Sequence, residues 1–239
     1  MKSALRILYP AQCLACEVLI DGASGLCGSC WSETPFILGT ACRKCGTPLL
    51  GEAPGDENAL CDDCLRIARP WRNGAAVMTY SGKARKLILS FKHGDRLDLA
   101  EPFSHWMLQK GRDLLGSDTI IVPVPIPLRR LIKRRYNQAA LLAGNLGRVT
   151  GLTVVPDALI RTRHTPPMEG ISSEDRFRLQ SGAIKIHPRR GTRVAGRPVL
   201  LIDDVMTTGA TLAAAADALR AGGAATVDVL TLARVAKDI

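Results

Sequence analysis

Residues 199–211 read VLLIDDVMTTGAT. An apolar run stops at two adjacent aspartates, Asp203 and Asp204. Thr207, Thr208, Gly209, Ala210 and Thr211 then lead into an Ala-rich stretch with helical character. VLLI carries no polar side chain, as expected of a central strand buried on both faces. In an open parallel sheet, ligands collect beyond the carboxyl ends of the strands, so the two acids fall at a ligand-binding edge. The loop after them combines backbone N–H groups, threonine hydroxyls and a helix start, the make-up of an anion site. Carboxylates that accept from vicinal hydroxyls, beside a cradle for a phosphate, suit a sugar phosphate. Helix capping alone is a weaker reading: Asp and Thr cap well, but two acids at a buried strand end carry a desolvation cost that a cap does not require. No lysine follows the glycine, so the loop is not a P-loop.

Upstream, the pattern supports such a sheet. AAVMTY (75–80) and the β-branched IIVPVP (120–125) read as strands, as do 157–161, 183–186, 198–202 and 225–232. Helices are expected at KARKLILSFKHGD, ending near Gly94, and at 97–115, with Leu99, Phe103, Trp106 and Met107 on one face. Further helices are expected at 128–151, where one continuous helix begins strongly basic, and at 172–179 and 209–222. Strands alternating with helices argue for an α/β fold with a parallel sheet.

All eight cysteines lie before this region, in four CxxC units: Cys13/Cys16, Cys27/Cys30, Cys42/Cys45 and Cys61/Cys64, with spacers of 10, 11 and 15 residues. Each CxxC turn presents two thiolates to one side of a metal, and tetrahedral Zn²⁺ takes two such turns. The cysteines therefore make two closed four-thiolate sites, structural and not catalytic. A disulfide framework would need an oxidising compartment, and a redox CxxC normally occurs once on a βαβ unit. Iron–sulfur ligation shares the spacing, but paired CxxC turns at these intervals are typical of zinc. Sequential pairing is favoured over a cross-brace. Gly28 and Gly46 are expected to relieve crowding where the chain turns around metal. So short a segment depends on metal to fold.

Charge divides the chain the same way. The net charge is +10, yet residues 13–64 hold eight acids against Arg43 and Lys44, which is −6 and leaves +16 for the remainder. The thiolate centres add further negative charge, so the cysteine module is expected to pack on a protein surface, while the basic part suits a polyanion. A boundary near Pro70 and Trp71 separates a zinc module, 1–68, from a second domain, 75–239. No apolar run reaches 18 residues, which argues against a membrane span. MKSALRILYPAQC lacks an h-region and a cleavage site, so a cytoplasmic protein is expected.

VLLIDDVMTTGAT resembles the signature with which type I phosphoribosyltransferases bind phosphoribosyl pyrophosphate (PRPP). With YPAQCLAC, VPVPIPLRRLIKRRYNQAALLA (122–143) and RTRHTPPMEGISSEDRFRLQSGAI (161–184), the chain resembles the ComF family over nearly its whole length. Proteins of that family join a double zinc ribbon to a phosphoribosyltransferase domain. The resemblance implies that Asp203 and Asp204 contact the ribose hydroxyls of Mg-PRPP, and that Thr207, Thr208, Gly209, Ala210 and Thr211 cradle its 5′-phosphate. Pro123, Pro125 and Arg129 would lie at the pyrophosphate loop. Arg134, Asn137 and Gln138 would follow in an R-G-[FY]-N-Q element, and 162–176, with Thr165 and Arg176, would close over the site. Here that element reads RRYNQ, with Arg135 in place of glycine. Met168, Leu179 and Ile184 stand where Gln, Asn and Phe are common.

The resemblance leaves the activity open between three readings. In a pentosyl (glycosyl) transferase, Mg²⁺ and Arg129, Arg130, Arg134 and Arg135 would offset charge on departing pyrophosphate, and Arg161, Arg163 and Arg176 would serve the closing loop. No residue specifies the acceptor. A second reading, from the family's association with competence and DNA uptake, is single-stranded-DNA binding by the basic domain, with a competence helicase as a further partner. Stacking platforms for it are few: Phe91, Trp106, Tyr136 and Phe177, with Phe91 and Trp106 better placed as core. The third is a domain that senses PRPP without turning it over.

Overall fold

The computed structural model of the chain describes residues 10–21, 25–49, 58–163 and 172–236. Two short helices belong to cysteine turns: α1 (Gly28–Ser32) and α2 (Asp62–Arg66). The remaining elements run β1 (Gly74–Thr79), α3 (Gly82–His93), α4 (Ala100–Lys110), β2 (Ile120–Pro123), α5 (Leu128–Arg134) and α6 (Gln138–Thr150). They continue with β3 (Leu159–Arg161), α7 (Ser173–Gln180), β4 (Ile184–Ile186), β5 (Pro198–Met206), α8 (Ala210–Ala221) and β6 (Thr226–Arg234). Among the described residues no helix is long and apolar enough to cross a membrane.

The main sheet has the order β1–β6–β5–β2, and every neighbouring pair is parallel. Its strands alternate between two cores. Ile120, Val122, Val199, Leu201, Val227 and Val229 face one, with α8; Ile121, Leu200, Ile202, Leu230 and Leu232 face the other, with α3, α4 and α6. Both faces are covered, which is why the central parts of these strands are mostly apolar, although β6 also buries Asp228, Thr231 and Arg234. β3 and β4 stand apart as an antiparallel pair. Their sequences look like sheet strands, but Leu159–Arg161 and Ile184–Ile186 pair only with each other.

Helix α3 buries Ala84, Leu87, Ile88 and Phe91, the 3–4 spacing of one helical face. The single helix expected over 128–151 is in fact two. Arg135 adopts the left-handed conformation (φ 65°) at the end of α5, and the Asn137 side chain accepts from Ala139 N to cap α6. A left-handed turn ends a right-handed helix and favours glycine, which gives a physical reason for the glycine common at this place in the resembled motif.

Strand β5 reaches further than its apolar core. β2 pairs with it only as far as Ile202, whereas β6 continues alongside to Met206. Asp203 and Asp204 are therefore the part of β5 that overhangs its neighbour β2.

Candidate functional site

At this overhang lies a cleft of about 280 Å3 that holds Asp203, Asp204, Thr207 and Thr211 from the 199–211 stretch, with Arg130, Arg134 and Arg161 around it. Larger hollows, about 780 Å3 beside α8 and about 840 Å3 beside the second ribbon, contain neither aspartate. Thr208, Gly209 and Ala210 complete the loop that joins β5 to α8, where Gly209 takes φ 84°. Only a residue without Cβ adopts that conformation freely.

The two acids are held differently. Asp204 pairs with Lys92 Nζ at 3.0 Å, both side chains being largely buried. Asp203 Oδ1 accepts from the Asp204 amide at 2.8 Å. Burial, and then the neighbouring Asp204 charge, push the Asp203 carboxyl up to about 7, against the opposing pull of Lys92 and Arg161. Arg161 is itself drawn down by burial. Its guanidinium donates to Gln180 Oε1 at 3.0 Å and to the Pro125 carbonyl at 3.4 Å, which ties the β3–β4 pair and α7 to the loop after β2.

The Tyr136–Asn137–Gln138 element braces the cleft, and Asn137 itself lines it. Tyr136 Oη donates to Phe91 O at 2.6 Å, Asn137 Nδ2 to Val124 O at 3.0 Å, and Gln138 Nε2 to Lys92 O at 3.4 Å. These three side chains fix the end of α3, which carries Lys92, against the loop that carries Pro125. Arg134 donates to Gln138 Oε1 at 3.3 Å. Arg130 and Arg134 line the cleft, whereas Arg129, one residue earlier, is exposed and does not. Pro125 lines it and Pro123 ends β2. Arg176 lies on α7 and Arg163 donates to Ser181 O. Thr165 and Met168 lie outside the described residues, as does most of the proposed closing segment. Ile184 is buried and packs in the core.

Of the aromatic residues considered for stacking, Phe91 is fully buried and Tyr136 is tied to it. Trp106 packs in a cluster with Trp31, Phe36 and Phe103. The Phe177 ring has the Arg69 guanidinium 5.7 Å from its centroid.

The thiols fall into two groups in chain order, Cys13/Cys16/Cys27/Cys30 and Cys42/Cys45/Cys61/Cys64, with all ligand atoms in each group within 4.8 Å of one another. Cys16 and Cys27 sulfurs are 3.7 Å apart and Cys45 and Cys61 sulfurs 3.5 Å. A zinc tetrahedron with Zn–S bonds of about 2.3 Å has edges of about 3.8 Å, so both groups fit a structural Zn²⁺. Gly46 (φ 70°) lies hard against β1, where an added Cβ would come 2.4 Å from Ala76 N. Gly28 has nothing within 4 Å, so it relieves no crowding of the kind expected.

Lys92, Tyr80 and Gln180 also border the cleft, and Arg69 and Arg234 hold the 207–211 loop from beneath. Sequence reasoning passed over all five. Lys92 looked like one more cation on a basic helix, and Arg69 like part of a linker.

A metal-ribbon module packed on a parallel sheet whose edge gathers acids, arginines and the threonine-rich loop into α8 is the class of protein these features define. A family model described as a double zinc ribbon domain matches residues 4–65, and one described as a phosphoribosyl transferase domain matches 139–238. The DNA utilization protein YhgH of Shigella flexneri is 32% identical over 235 residues, covering 95% of this chain and 99% of that protein. Competence protein F of Haemophilus influenzae is 28% identical (93% and 96% covered), and Competence protein ComFC of Bacillus subtilis 30% (87% and 84%). The chain belongs to the ComF family. An allosteric regulatory enzyme of purine biosynthesis superposes with a TM-score of 0.40 at 18% identity, over 60% of this chain and 30% of its own, a likeness on which nothing is built.

Proposed function

We propose that the cleft binds Mg-PRPP, with residues 1–68 as a zinc-holding module and 75–239 as a phosphoribosyltransferase-like domain. The observation that carries this reading is the overhang of β5: it brings Asp203, Asp204 and the 207–211 loop into one cleft with three arginines. In this reading the carboxylates accept from ribose hydroxyls, and Thr207, Thr208, Gly209, Ala210 and Thr211 receive the 5′-phosphate at the start of α8. Arg130 and Arg134 take the pyrophosphate beside Pro125, with Arg129 at the rim as a long-range cation. Lys92 neutralises Asp204 while the site is empty and is displaced toward the leaving group on binding. Mg²⁺ carried by PRPP would add charge neutralisation at the pyrophosphate, and the hard oxygens of Asp203 and Asp204 suit it.

Calorimetric titration of Mg-PRPP into zinc-replete protein tests this, with Asp203→Asn as the control. Micromolar binding that disappears in the variant is expected; absence of binding to the wild type overturns the reading. If pentosyl transfer follows, labelled PRPP turned over with candidate acceptors will reveal it.

A second reading rests on the exposed basic face of α5, with Arg129, Arg130, Lys133 and Arg135 all at the surface, and on the DNA-related names of the relatives. It assigns single-stranded-DNA binding to that face. Binding would then weaken steeply with salt and survive Asp203→Asn; salt-independent or absent binding removes it.

A further inference from the structure

The second cysteine cluster and the 207–211 loop are joined by two buried arginines that the cleft itself does not use. Arg69 is 9% exposed and Arg234 3%. The Arg69 guanidinium lies 5.5 Å from the centroid of the Trp71 ring and 5.7 Å from that of Phe177. Its Nη1 donates to Thr208 O at 2.7 Å, and a Cβ on Gly209 would come within 2.9 Å of that nitrogen. Arg69 lies five residues after Cys64, just beyond α2, and Nε1 of Trp71, whose ring it stacks on, donates to Lys44 O, between Cys42 and Cys45, at 2.6 Å. Arg234, at the end of β6, donates to Thr207 O, to Met206 O at 3.3 Å and to Val235 O at 2.6 Å, and its Nη2 lies 4.0 Å from Asp63 inside the CDDC turn.

Three consecutive carbonyls, from Met206 to Thr208, are thus committed to guanidinium groups on the buried side of the loop. Carbonyls held on one side leave the turn's amide N–H groups for the other, which is how a backbone nest for phosphate is made. Each arginine also keeps a buried Nε without a hydrogen-bond partner. Buried cations in that condition need nearby negative charge, and a zinc tetrathiolate, with a net charge of −2, supplies it.

We propose that the second cysteine cluster sets the conformation of the phosphate loop through Arg69 and Arg234, so that metal at Cys42/Cys45/Cys61/Cys64 and phosphate in the cleft favour one another. The coupling rests on the reading of 207–211 as a phosphate loop. Arg69 and Arg234 are positioning residues; neither lines the cleft. By reciprocity, ligand in the cleft must tighten metal binding at the second cluster by the same factor as metal tightens the ligand.

The test uses the full zinc-loaded chain, with Arg69→Met removing the donors and Arg69→Lys keeping the charge. Arg69→Met is expected to retain two zinc ions per chain. Its 207–211 amides should exchange about tenfold faster and its Mg-PRPP affinity fall about tenfold, with Arg69→Lys between it and the wild type. In the wild type, Mg-PRPP should lower the equilibrium transfer of one of the two zinc ions to a competing chromogenic chelator, and leave the other unchanged. Unaltered loop exchange and affinity in a two-zinc Arg69→Met protein overturn the coupling. If Arg69→Met does not fold, the wild-type chelator experiment decides: Mg-PRPP that binds but protects neither zinc also overturns it. Faster loop exchange in Arg69→Met, in a protein whose wild type ignores Mg-PRPP, upholds the mechanical link and removes the sugar-phosphate reading instead.

Discussion

The two cysteine clusters have the same four thiol ligands from paired CxxC turns, but they occupy different parts of the fold. In the second, Cys42, Cys45 and Cys64 are buried among the side chains of one main core, beside Trp71, Val122 and Leu201. Its backbone is locked to the sheet: Trp71 Nε1 donates to Lys44 O at 2.6 Å, and Lys44 Nζ donates back to the Trp71 and Arg72 carbonyls at 3.0 and 2.7 Å. In the first, Cys16 is exposed and Cys27 half-exposed. That cluster reaches the domain through Leu14 in the other core, Trp31 and Phe36 packed on Trp106, a bridge between Phe36 and Met78, and Lys83, which donates to Cys30 Sγ at 3.2 Å. Identical motifs thus give a keystone in one place and an appendage in the other. The difference arises from what surrounds the sulfurs and not from the sulfurs.

The largest expected effect separates the clusters directly. Cys45→Ser should destabilise the protein by on the order of 5 kcal/mol, because both the metal and the core around it are lost. Cys16→Ser should cost about 1–2 kcal/mol and leave the parallel sheet intact. Thermal unfolding with zinc analysis of each variant checks this, and equal losses would break the comparison. Next is a matched glycine pair. Gly46→Ala meets Ala76 N at 2.4 Å and sits at φ 70°, so a loss of about 3 kcal/mol is expected, whereas Gly28→Ala, in open space, should be neutral to within about 0.5 kcal/mol.

Charge follows the same contrast. Asp203 has a pKa raised to about 7, so its ionised form is less tolerated in the fold than in the unfolded chain. The cost is absent below about pH 4, builds as pH rises toward 7, and is complete above it. Asp203→Asn should therefore raise the melting temperature by about 2–4 °C at pH 8, and the gain should shrink toward pH 5; a gain independent of pH contradicts it. On the side of the first cluster, Lys83 pairs with the exposed Glu33 at 3.4 Å. Lys83→Met should move the melting temperature by less than about 2 °C in low salt, and by less still in high salt.

The sheet strands and the acids at their edge were legible because apolar runs and their ends are local signals. The cysteine turns were legible because metal ligation imposes spacing. The break at Arg135–Asn137 was not, since an Arg in a left-handed turn opposes its own propensity and the apolar pattern runs through it. Lys92 and Arg69 were hidden for another reason. Arg69 meets Thr208 across 139 residues of sequence, so only the folded topology makes it a neighbour of the 207–211 loop. The charge imbalance pointed to a polyanion for the basic part and to packing of the cysteine module on a protein surface. Contacts such as Asp63–Arg234 and Lys83–Glu33 agree with the packing.

The sheet order has a consequence for how the protein comes into being. β1 follows the cysteine module directly, yet in the sheet it hydrogen-bonds to β6, whose residues 226–234 are the last strand to be synthesised. A nascent chain can gather its thiols around metal early. The surface on which the second ribbon rests, however, stays an open strand edge until more than a hundred further residues have emerged. Sheets assembled from such distant partners fold slowly. On the ribosome the cysteine turns emerge before the strands β5 and β6 that complete the sheet beneath them.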